Sequence, residues 1–530
     1  IDIMIYIILI LIFVFIFEHV YWKRRNFPPG PMPLPVLGNT LALAMNPPGY
    51  EPMMKWRKKY GPVFTFWFGN NPSICVADYK TIKETMFEDG ETYSGRSTLD
   101  DLIKLVRGGH YGVVETSGWL WREQKRFMLH TFRDFGMGKN LMQQKILDEV
   151  AYLIESLKNA EDLEAHNIQY DIDRAVGSII NSLLFGYRYE GDKIQEFTEL
   201  KTCLTNHMRF VMEPLTTIAM TQPLTLGKLP VFKSRLEKLL SNMNQLYAVF
   251  QKQIDEHRKK INFEDADEDP SDFCEAFLKE MHRRGGQDEA LHSFSLNQLR
   301  NMCLDLWTAG LETTTNTVAF AILYYIRHPR AQYLVKKELE QIIDSDRLIT
   351  VDDKNHLPYL NAFISETQRM ANLLPINLIR KTTKDTTING HFIPKGSSVI
   401  PQIGCVLYLY ICRKIAKRNQ ITSKFGPEQK IFPDPYSFKP ERFLDEQGNL
   451  KKIEEHIPFS IGKRQCMGEG LARMELFLLI SNLFNQFEAK LPNKEFLPEE
   501  GKNLPSMDKR FGFALQPYPF RCQIRHRYGQ

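Results

Sequence analysis

One cysteine in the C-terminal part of the chain lies between a Gly-Lys-Arg run and a Met-Gly pair. The stretch FSIGKRQCMGEG places Cys466 directly before an apolar helical pattern, GLARMELFLLISNLFNQF. A cysteine at a helix N-terminus faces backbone N–H groups, and the helix dipole favours its thiolate. Gly462 and Gly468 would let the backbone fold closely around the sulfur, and Arg464 adds a positive charge. We therefore favour a thiolate ligand over the alternative, an inert buried thiol.

The cysteine pattern limits which metal such a thiolate could hold. The chain has eight cysteines, scattered without a CxxC pair: Cys75, Cys203, Cys274, Cys303, Cys405, Cys412, Cys466 and Cys522. A disulfide framework or a zinc site would need closer pairs, so the main body is expected to be reduced and cytosol-facing. A single thiolate suits the protein ligand of a haem iron, because the macrocycle supplies the in-plane ligands.

A long helical pattern is expected to stand opposite this cysteine. Residues Ser295 to Arg327 are apolar around most of the helix circumference, so the helix should be central in the fold. Ser295 and Gln298 predict a capping box at its start, and His328–Pro329 predicts its end.

The middle of this helix, AGLETTT, is unusual for a buried segment. Gly310 weakens a helix interior, and a buried Glu312 is costly unless it is paired or protonated. A helix kink with threonine hydroxyls bonded to the preceding turn is one interpretation. The other is a groove opened by Gly310, with the Glu312 acid and the Thr313 hydroxyl facing a reactive centre.

A charged pair further along the chain is predicted to be structural. Glu366 and Arg369 in SETQRM share one helix face and lie among apolar residues. Arg442 in FKPERF is a possible third member. A buried glutamate with two arginines is better explained as a folding lock than as catalytic machinery.

The elements around these groups predict a mostly α-helical fold with small β-sheets. The chain has 530 residues, is 43% hydrophobic and carries a net charge of +5, which gives no sign of bulk nucleic-acid binding. Gly61 to Asp78 alternates as a hairpin does, and Tyr79 to Tyr333 is mainly helical. Short strands and turns follow Leu373, and helix returns after Cys466.

The N-terminal segment differs from the rest. Ile3 to Phe17 is unbroken apolar sequence, and a basic Lys-Arg-Arg cluster follows Trp22. This pattern predicts an uncleaved transmembrane anchor over 1–22, with the following side in the cytosol; a cleaved signal peptide is the alternative. A basic, proline-rich linker over 23–38 and a catalytic domain over 39–530 complete the predicted organisation.

One segment inside the predicted domain fits neither of its flanks. Residues 409–427, LYICRKIAKRNQITSKFGP, are basic and carry no clear pattern. A long structureless insert in a compact domain is unusual. A genuine surface loop and a gene-model artefact are both open.

Taken together, the motifs resemble those of the cytochrome P-450 family of haem-thiolate monooxygenases. FSIGKRQCMG is similar to the family's cysteine signature, AGLETT to its oxygen-binding helix, ETQR to its Glu-x-x-Arg helix and PERF to the element that locks onto it. They occur in the family's order over nearly the whole chain. The N-terminal anchor and proline-rich hinge resemble the animal microsomal class that oxidises drugs and steroids.

The resemblance implies roles for individual residues. Thr313 would take part in dioxygen activation, and Glu312 would help to deliver protons from solvent. Cys466 would be the axial ligand of the iron of haem b. The other implied cofactor contacts, mostly to the propionates, are Arg96, Trp121, Arg380, Phe459, Arg464 and Gly468. The sequence WREQKRF has Lys125 where the family has arginine, so Lys125 is a weaker candidate, since lysine lacks the bidentate fork.

The implied reaction inserts one oxygen atom from O₂ into a small apolar substrate, either a xenobiotic, a steroid or a fatty acid. Electrons would come from NADPH through NADPH–cytochrome P-450 reductase, with cytochrome b5 as a further partner, at the endoplasmic reticulum membrane. A basic face would meet the reductase: Arg122, Lys125, Arg126, Arg133 and Lys463. The alternatives are a haem-thiolate isomerase or dehydratase of peroxides, and a haem-binding protein impaired by the insert.

Overall fold

The structure is a computed structural model of the chain. It describes residues 2–35, 37–46, 49–96, 99–136, 140–263, 269–285, 293–408, 431–492, 505–510, 512 and 514–528. The predicted insert, 409–427, lies outside the described residues.

The described chain is mostly helical, as expected. Its N-terminal half contains α1 Asp2–Val20, α2 Thr40–Ala44, α3 Tyr50–Tyr60, α4 Tyr79–Ile82, α5 Asp100–Arg107, α6 Gly118–Asp134, α7 Asn140–Lys158, α8 Ile168–Phe185, α9 Lys193–Val211, α10 Pro214–Thr221 and α11 Pro230–Lys260. The later helices are α12 Phe273–Arg283, α13 Leu296–Arg327, α14 Pro329–Ile342, α15 Pro358–Ala371, α16 Ile403–Leu407 and α17 Glu469–Gln486.

The strands are short and form small sheets. They are β1 Val63–Phe68, β2 Asn71–Val76, β3 Arg380–Lys381, β4 Thr386–Ile388, β5 His391–Ile393, β6 Ser398–Pro401, β7 Phe487–Lys490, β8 Lys509–Arg510, β9 Gln516–Pro517 and β10 Gln523–His526. The largest sheet has the order β1-β2-β6-β3, and β1 pairs with β2 as the predicted antiparallel hairpin. The other described strands pair as β4 with β5, β7 with β10 and β8 with β9.

Helix α13 runs through the centre of the main hydrophobic core and packs on α8, α15 and α17. Gly310 permits the approach of α8, because a Cβ atom there would lie 2.6 Å from the Ile180 side chain. The glycine therefore serves helix packing on this side, whereas the sequence left a helix kink and a groove as two open interpretations.

The start of α13 confirms half of the predicted capping box. The Ser295 hydroxyl accepts a hydrogen bond from the Gln298 backbone N–H at 3.2 Å. The Gln298 side chain does not accept a hydrogen bond from the Ser295 backbone N–H, which a complete capping box requires. It instead pairs with the backbone N–H and C=O of Gly112, at 2.9 and 3.0 Å, and so ties the loop between α5 and α6 to α13.

The N-terminal segment is helical but stands apart from the core. Apolar side chains of α1 are exposed, with Ile3 at 77% and Phe13 at 67% exposure. Within the described part of the chain, no helix is both long and apolar enough to cross a membrane.

The proline-rich segment that follows contacts the domain. The Pro29 carbonyl accepts a hydrogen bond from the Thr65 backbone N–H in β1 at 3.1 Å, and Phe27 packs edge-on against Trp67. From Phe27 onwards, the predicted linker is therefore joined to the first sheet.

Candidate functional site

The loop that carries Cys466 is held by its own backbone and lies against the helical turn Lys83–Glu88. The Cys466 N–H donates to the Phe459 carbonyl at 2.9 Å. Gly462 has φ +80°, and a Cβ atom there would lie only 1.6 Å from the Met86 carbonyl oxygen. Glycine is therefore required at 462, and the loop reaches its close approach only without a side chain.

The thiol of Cys466 is accessible to solvent, unlike most of the described cysteines. Burial among protein atoms nevertheless raises its pKa, and the backbone N–H of Gly468 offsets this only in part. The predicted thiolate, which rested on the helix N-terminus, the flanking glycines and Arg464, stays a prediction. A cation bound at the sulfur would remove the proton.

Three buried arginines lie close enough to affect one another: Arg96, Arg380 and Arg464. Burial, and then the charge of Arg96, lowers the pKa of Arg380 to about 9. Burial, and then the charges of Arg96 and Arg380, lowers the pKa of Arg464 to about 8. Among the described residues, none of the three has a carboxylate within ion-pair distance.

The arginines are oriented by neutral groups. Arg464 donates to the carbonyls of Ser94 and Thr116, and its guanidinium stacks 3.8 Å from the centre of the Trp121 ring. Arg380 donates to the Ser460 hydroxyl and the Ile461 carbonyl, at 2.9 and 2.8 Å. The Nη1 group of Arg380 and the Nε group of Arg96 have no partner among the described residues. A buried cluster of three cations with free donors is suited to an anion that carries more than one charge.

One stripe of α13 is not covered by protein. Leu306, Gly310 and Thr313 are half-buried and Ala309 is exposed, although most of the residues around them on the helix are buried. The four positions follow the helical spacing of three and four, so they share one face. The Thr313 hydroxyl donates to the Ala309 carbonyl at 2.7 Å, which leaves its lone pairs free to accept a hydrogen bond.

Comparison with known proteins identifies this architecture. The model of the cytochrome P-450 family matches residues 28–408 and 421–524, so the match is interrupted within the predicted insert. This chain belongs to the cytochrome P-450 family.

Curated relatives agree with the family assignment. The P-450 chain is 32% identical over 471 residues to cytochrome P-450 2C4 of Oryctolagus cuniculus, which covers 88% of this chain and 89% of the relative. It is 31% identical over 468 residues to cytochrome P-450 2C8 of Homo sapiens, with 88% and 89% coverage. It is also 31% identical over 498 residues to cytochrome P-450 2C29 of Mus musculus, with 94% coverage of both.

Enzymes of this family are haem-thiolate monooxygenases that bind haem b, and this P-450 is one of them. The donor set of the chain fits that cofactor. The accessible Cys466 thiol can ligate the iron, and the three buried arginines need the negative charge that two propionates bring. Phe459 and Gly468 flank the Cys466 loop. The ammonium of Lys125, the weaker candidate, donates to the Lys463 carbonyl at 2.9 Å.

Glu312, the predicted acid of α13, does not lie on the same side of the helix as the neighbouring Thr313 hydroxyl. Glu312 is buried and faces α9 and β9, where Oε1 accepts from the Lys201 ammonium at 2.8 Å. Its Oε2 accepts from the Gln516 amide at 3.0 Å and from Asn316 at 3.4 Å. The structure thus brings Thr313, but not the Glu312 carboxylate, to the uncovered stripe of this P-450.

A second buried acid, on α17, was not predicted from the sequence. Glu475 of α17 is 1% exposed, and burial raises its pKa to about 8. The Thr314 hydroxyl donates to its Oε2 at 3.1 Å, while its Oε1 has no partner in the described part of the chain. Its place on the buried face of a strongly apolar helix was the only signal in the sequence.

A buried carboxylate of α13, Asp305, was also not predicted from the sequence. Asp305 accepts hydrogen bonds from the backbone N–H groups of Val113 and Val114 at 2.8 and 3.0 Å, and pairs with Arg107 at 2.8 Å. Because two partners lie in the segment between α5 and α6 and Arg107 is the last residue of α5, the carboxylate ties the end of α5 and the following segment to α13.

Proposed function

We propose that this P-450 inserts one oxygen atom from O₂ into a small apolar organic substrate, a xenobiotic, steroid or fatty acid, with electrons from NADPH through a reductase. The observation that carries the proposal is the uncovered stripe of α13. Leu306 and Ala309 offer an apolar surface beside the free lone pairs of Thr313, so an apolar molecule can lie against the helix next to a hydrogen-bonding hydroxyl.

Each residue of the proposed site has a separate role. Cys466 would hold the iron, and Arg96, Arg380 and Arg464 would bind the propionates, with Trp121 supporting Arg464. Haem, when bound, supplies the iron at which dioxygen is activated. Thr313 would accept or pass on a proton at its Oγ1 atom. The Glu312 carboxylate would hold the proton that is delivered after it.

Replacement of the proposed ligand tests this function. The Cys466→Ala variant is expected to lose the absorption band of the reduced, CO-bound haem thiolate, whereas Cys522→Ala, at a buried cysteine elsewhere in the fold, keeps it. Substrate-dependent NADPH oxidation with added reductase then tests the reaction. Turnover of peroxides without NADPH would favour the isomerase alternative, and a normal band without either activity would favour an impaired haem-binding protein.

The reductase is proposed to meet the basic surface beside Cys466. Arg126 and Arg133 lie on α6, as do Arg122 and Lys125. Two residues of this surface form ion pairs with Glu91, Arg122 at 2.6 Å and Lys463 at 3.3 Å. Charge reversal at Arg126 should raise the reductase concentration needed for half-maximal NADPH oxidation and leave the CO-bound spectrum unchanged.

The endoplasmic reticulum membrane is the proposed location, with α1 as a single-pass anchor and the catalytic domain in the cytosol. The exposed apolar side chains of α1 and the basic residues that follow it support the proposal. Retention of the full chain in the membrane fraction at alkaline pH, and its release when residues 1–22 are removed, would test it.

A further inference from the structure

The C-terminal hairpin, defined as strands β8 and β9 with the segment between them, borders α13 at the position before Thr313. The Gln516 amide of β9 donates to Glu312 of α13 at 3.0 Å. The Leu515 backbone N–H donates at 2.8 Å to the carbonyl of Leu373, which follows the C-terminal end of α15. The hairpin therefore adjoins both the helix that carries the uncovered stripe and the end of α15.

The backbone ladder of this hairpin is too short to fix its position. Strands β8 and β9 pair at two positions, Lys509 with Pro517 and Arg510 with Gln516. Proline has no N–H group, so Pro517 gives the ladder no donor. A short two-stranded hairpin is only marginally stable by itself in water. Contacts outside the ladder are therefore needed to hold the C-terminal hairpin against α13 and α15.

Lys509 makes such a contact at the β8 end of the hairpin. Its Nζ atom donates to the Met370 carbonyl, to the Ala371 carbonyl at 3.0 Å and to the Tyr408 hydroxyl at 2.7 Å. Met370 and Ala371 are the last residues of α15, and carbonyls in the last turn of a helix have no partner within it. Lys509 supplies donors to these carbonyls and so joins the hairpin to the end of α15.

Aromatic rings and neutral oxygens surround the Lys509 Nζ atom. It lies 5.2 Å from the centre of the Tyr408 ring and 5.7 Å from that of Tyr50, and these two rings stack on each other. Burial, and then the charge of Arg369, lowers the pKa of Lys509 to about 7. A neutral amine still has two N–H donors, so both carbonyls of α15 keep a donor on either side of this pKa.

We propose that Lys509 is a positioning residue for substrate selection, which fixes the C-terminal hairpin as a wall of the site beside the stripe of α13. Without Lys509, two hydrogen bonds would join the hairpin to the rest of the described chain, from Leu515 and from Gln516, and both lie at its β9 end. The β8 end could then move away from α15 and change the space beside the stripe. The inference rests on the proposed substrate site.

Hydrogen exchange of the haem-loaded protein tests the anchoring step. Lys509→Met keeps an apolar stem but has no donor, so the amide hydrogens of Leu515 and Gln516 should exchange about 2- to 10-fold faster, the factor for one lost hydrogen bond. Mass spectrometry of the peptide that contains both residues measures this rate. Lys490→Met is the matched control, because Lys490 lies on β7 and pairs with Glu488 at 2.9 Å. Equal exchange in the two variants would overturn the proposal.

Two ligands of the haem iron test the effect on the site without turnover. Imidazole binds the iron with little further contact, whereas the phenyl group of 4-phenylimidazole also reaches the walls of the site. In Lys509→Met, the Kd of 4-phenylimidazole should rise about 2- to 10-fold, the factor for one aromatic contact, while that of imidazole stays constant. An unchanged ratio of the two constants would overturn the proposal. Loss of stability alone would lower the haem content and leave this ratio unchanged.

Tyr408→Phe is a milder test of the same contact. It removes one hydrogen-bond partner of Lys509 and keeps the ring, so the ratio of the two constants should rise by a smaller factor. If Lys509→Met does not load haem, an unchanged ratio in Tyr408→Phe would equally overturn the proposal. Absence of the CO-bound thiolate band from the unmodified protein would instead refute the proposed enzyme function.

Discussion

Arg369 holds both carboxylate oxygens of Glu366, with Nε and Nη2 donating at 2.7 and 2.9 Å, and neither side chain is exposed to solvent. Arg442 donates to the same glutamate at 3.0 Å, and Arg369 also donates to the Leu407, Pro435 and Ser437 carbonyls. The structure brings these three residues together, and their role as a folding lock stays a prediction. The cluster joins α15 to the segment that precedes the Cys466 loop.

Glu366→Gln should prevent accumulation of haem-loaded protein. Removing one charge from a buried network costs about 3–5 kcal/mol, a large part of the stability of a typical domain. The reduced, CO-bound absorbance per unit of expressed protein measures the loss. Glu441→Gln changes a partly exposed acid in the neighbouring PERF segment and should have little effect. Equal yields of the two variants would contradict the role of the lock.

Asp305→Ala should release the segment between α5 and α6. The carboxylate accepts two backbone N–H groups, and each hydrogen bond to a charged group contributes about 1.5–3 kcal/mol. Amide hydrogens of Val113 and Val114 should then exchange at least tenfold faster, which mass spectrometry of the peptide over 110–116 can measure. Asp101→Asn, at an exposed acid of α5, serves as the control. Unchanged exchange in Asp305→Ala would show that other contacts hold the segment.

Glu475 should make the stability of the protein fall as pH rises. The native side chain keeps its proton up to about pH 8, whereas the unfolded side chain loses it near its ordinary pKa of 4.5. Between these values the native state binds more protons, so the free energy of unfolding decreases with pH, by on the order of 5 kcal/mol in total.

Melting temperatures from pH 5 to pH 8 measure this dependence. Glu475→Gln should flatten it, because the amide stays neutral throughout. Glu469→Gln, at an acid of α17 that pairs with Arg473 near the surface, should leave it unchanged. A parallel decline in the wild-type and Glu475→Gln proteins would mean that another group causes the pH dependence.

Arg380→Met should have opposite effects on the protein with and without haem. Loss of one of three buried cations removes repulsion, so the protein chain without cofactor should melt at a higher temperature. Haem should dissociate roughly 10- to 100-fold faster, since a charge-assisted hydrogen bond is lost. Transfer of haem to apomyoglobin measures the rate. Lys384→Met removes an exposed charge next to β4 and should change neither quantity. A drop in both stabilities would indicate a structural role alone.

Local patterns in the sequence were sufficient for much of the fold. The hairpin of β1 and β2, the span of α13 and the Glu366–Arg369 pair all depend on residues close together in the chain, so spacing and composition predict them. The Cys466 loop is only partly similar: the local motif contains a glycine at 462, but the contact that requires it is with the Met86 carbonyl, far away in the chain.

Contacts between distant parts of the chain could not be predicted in this way. The direction of Glu312 depends on Lys201 of α9 and Gln516 of β9, and neither position carries a pattern that points to α13. Gln298 illustrates the same limit. The local motif predicts that its side chain caps α13, but the side chain hydrogen-bonds the Gly112 backbone instead. The pKa of Cys466 also depends on burial, which the adjacent residues do not reveal.

The three buried arginines have a consequence for the life of the protein in a cell. A nascent chain that folds around Arg96, Arg380 and Arg464 must enclose three mutually repelling cations, and a dianionic partner would relieve the part of this cost that Glu115 does not offset. Haem thus acts as a template for the last stage of folding. The abundance of this enzyme should therefore follow porphyrin and iron supply, with chains made in excess of haem being degraded.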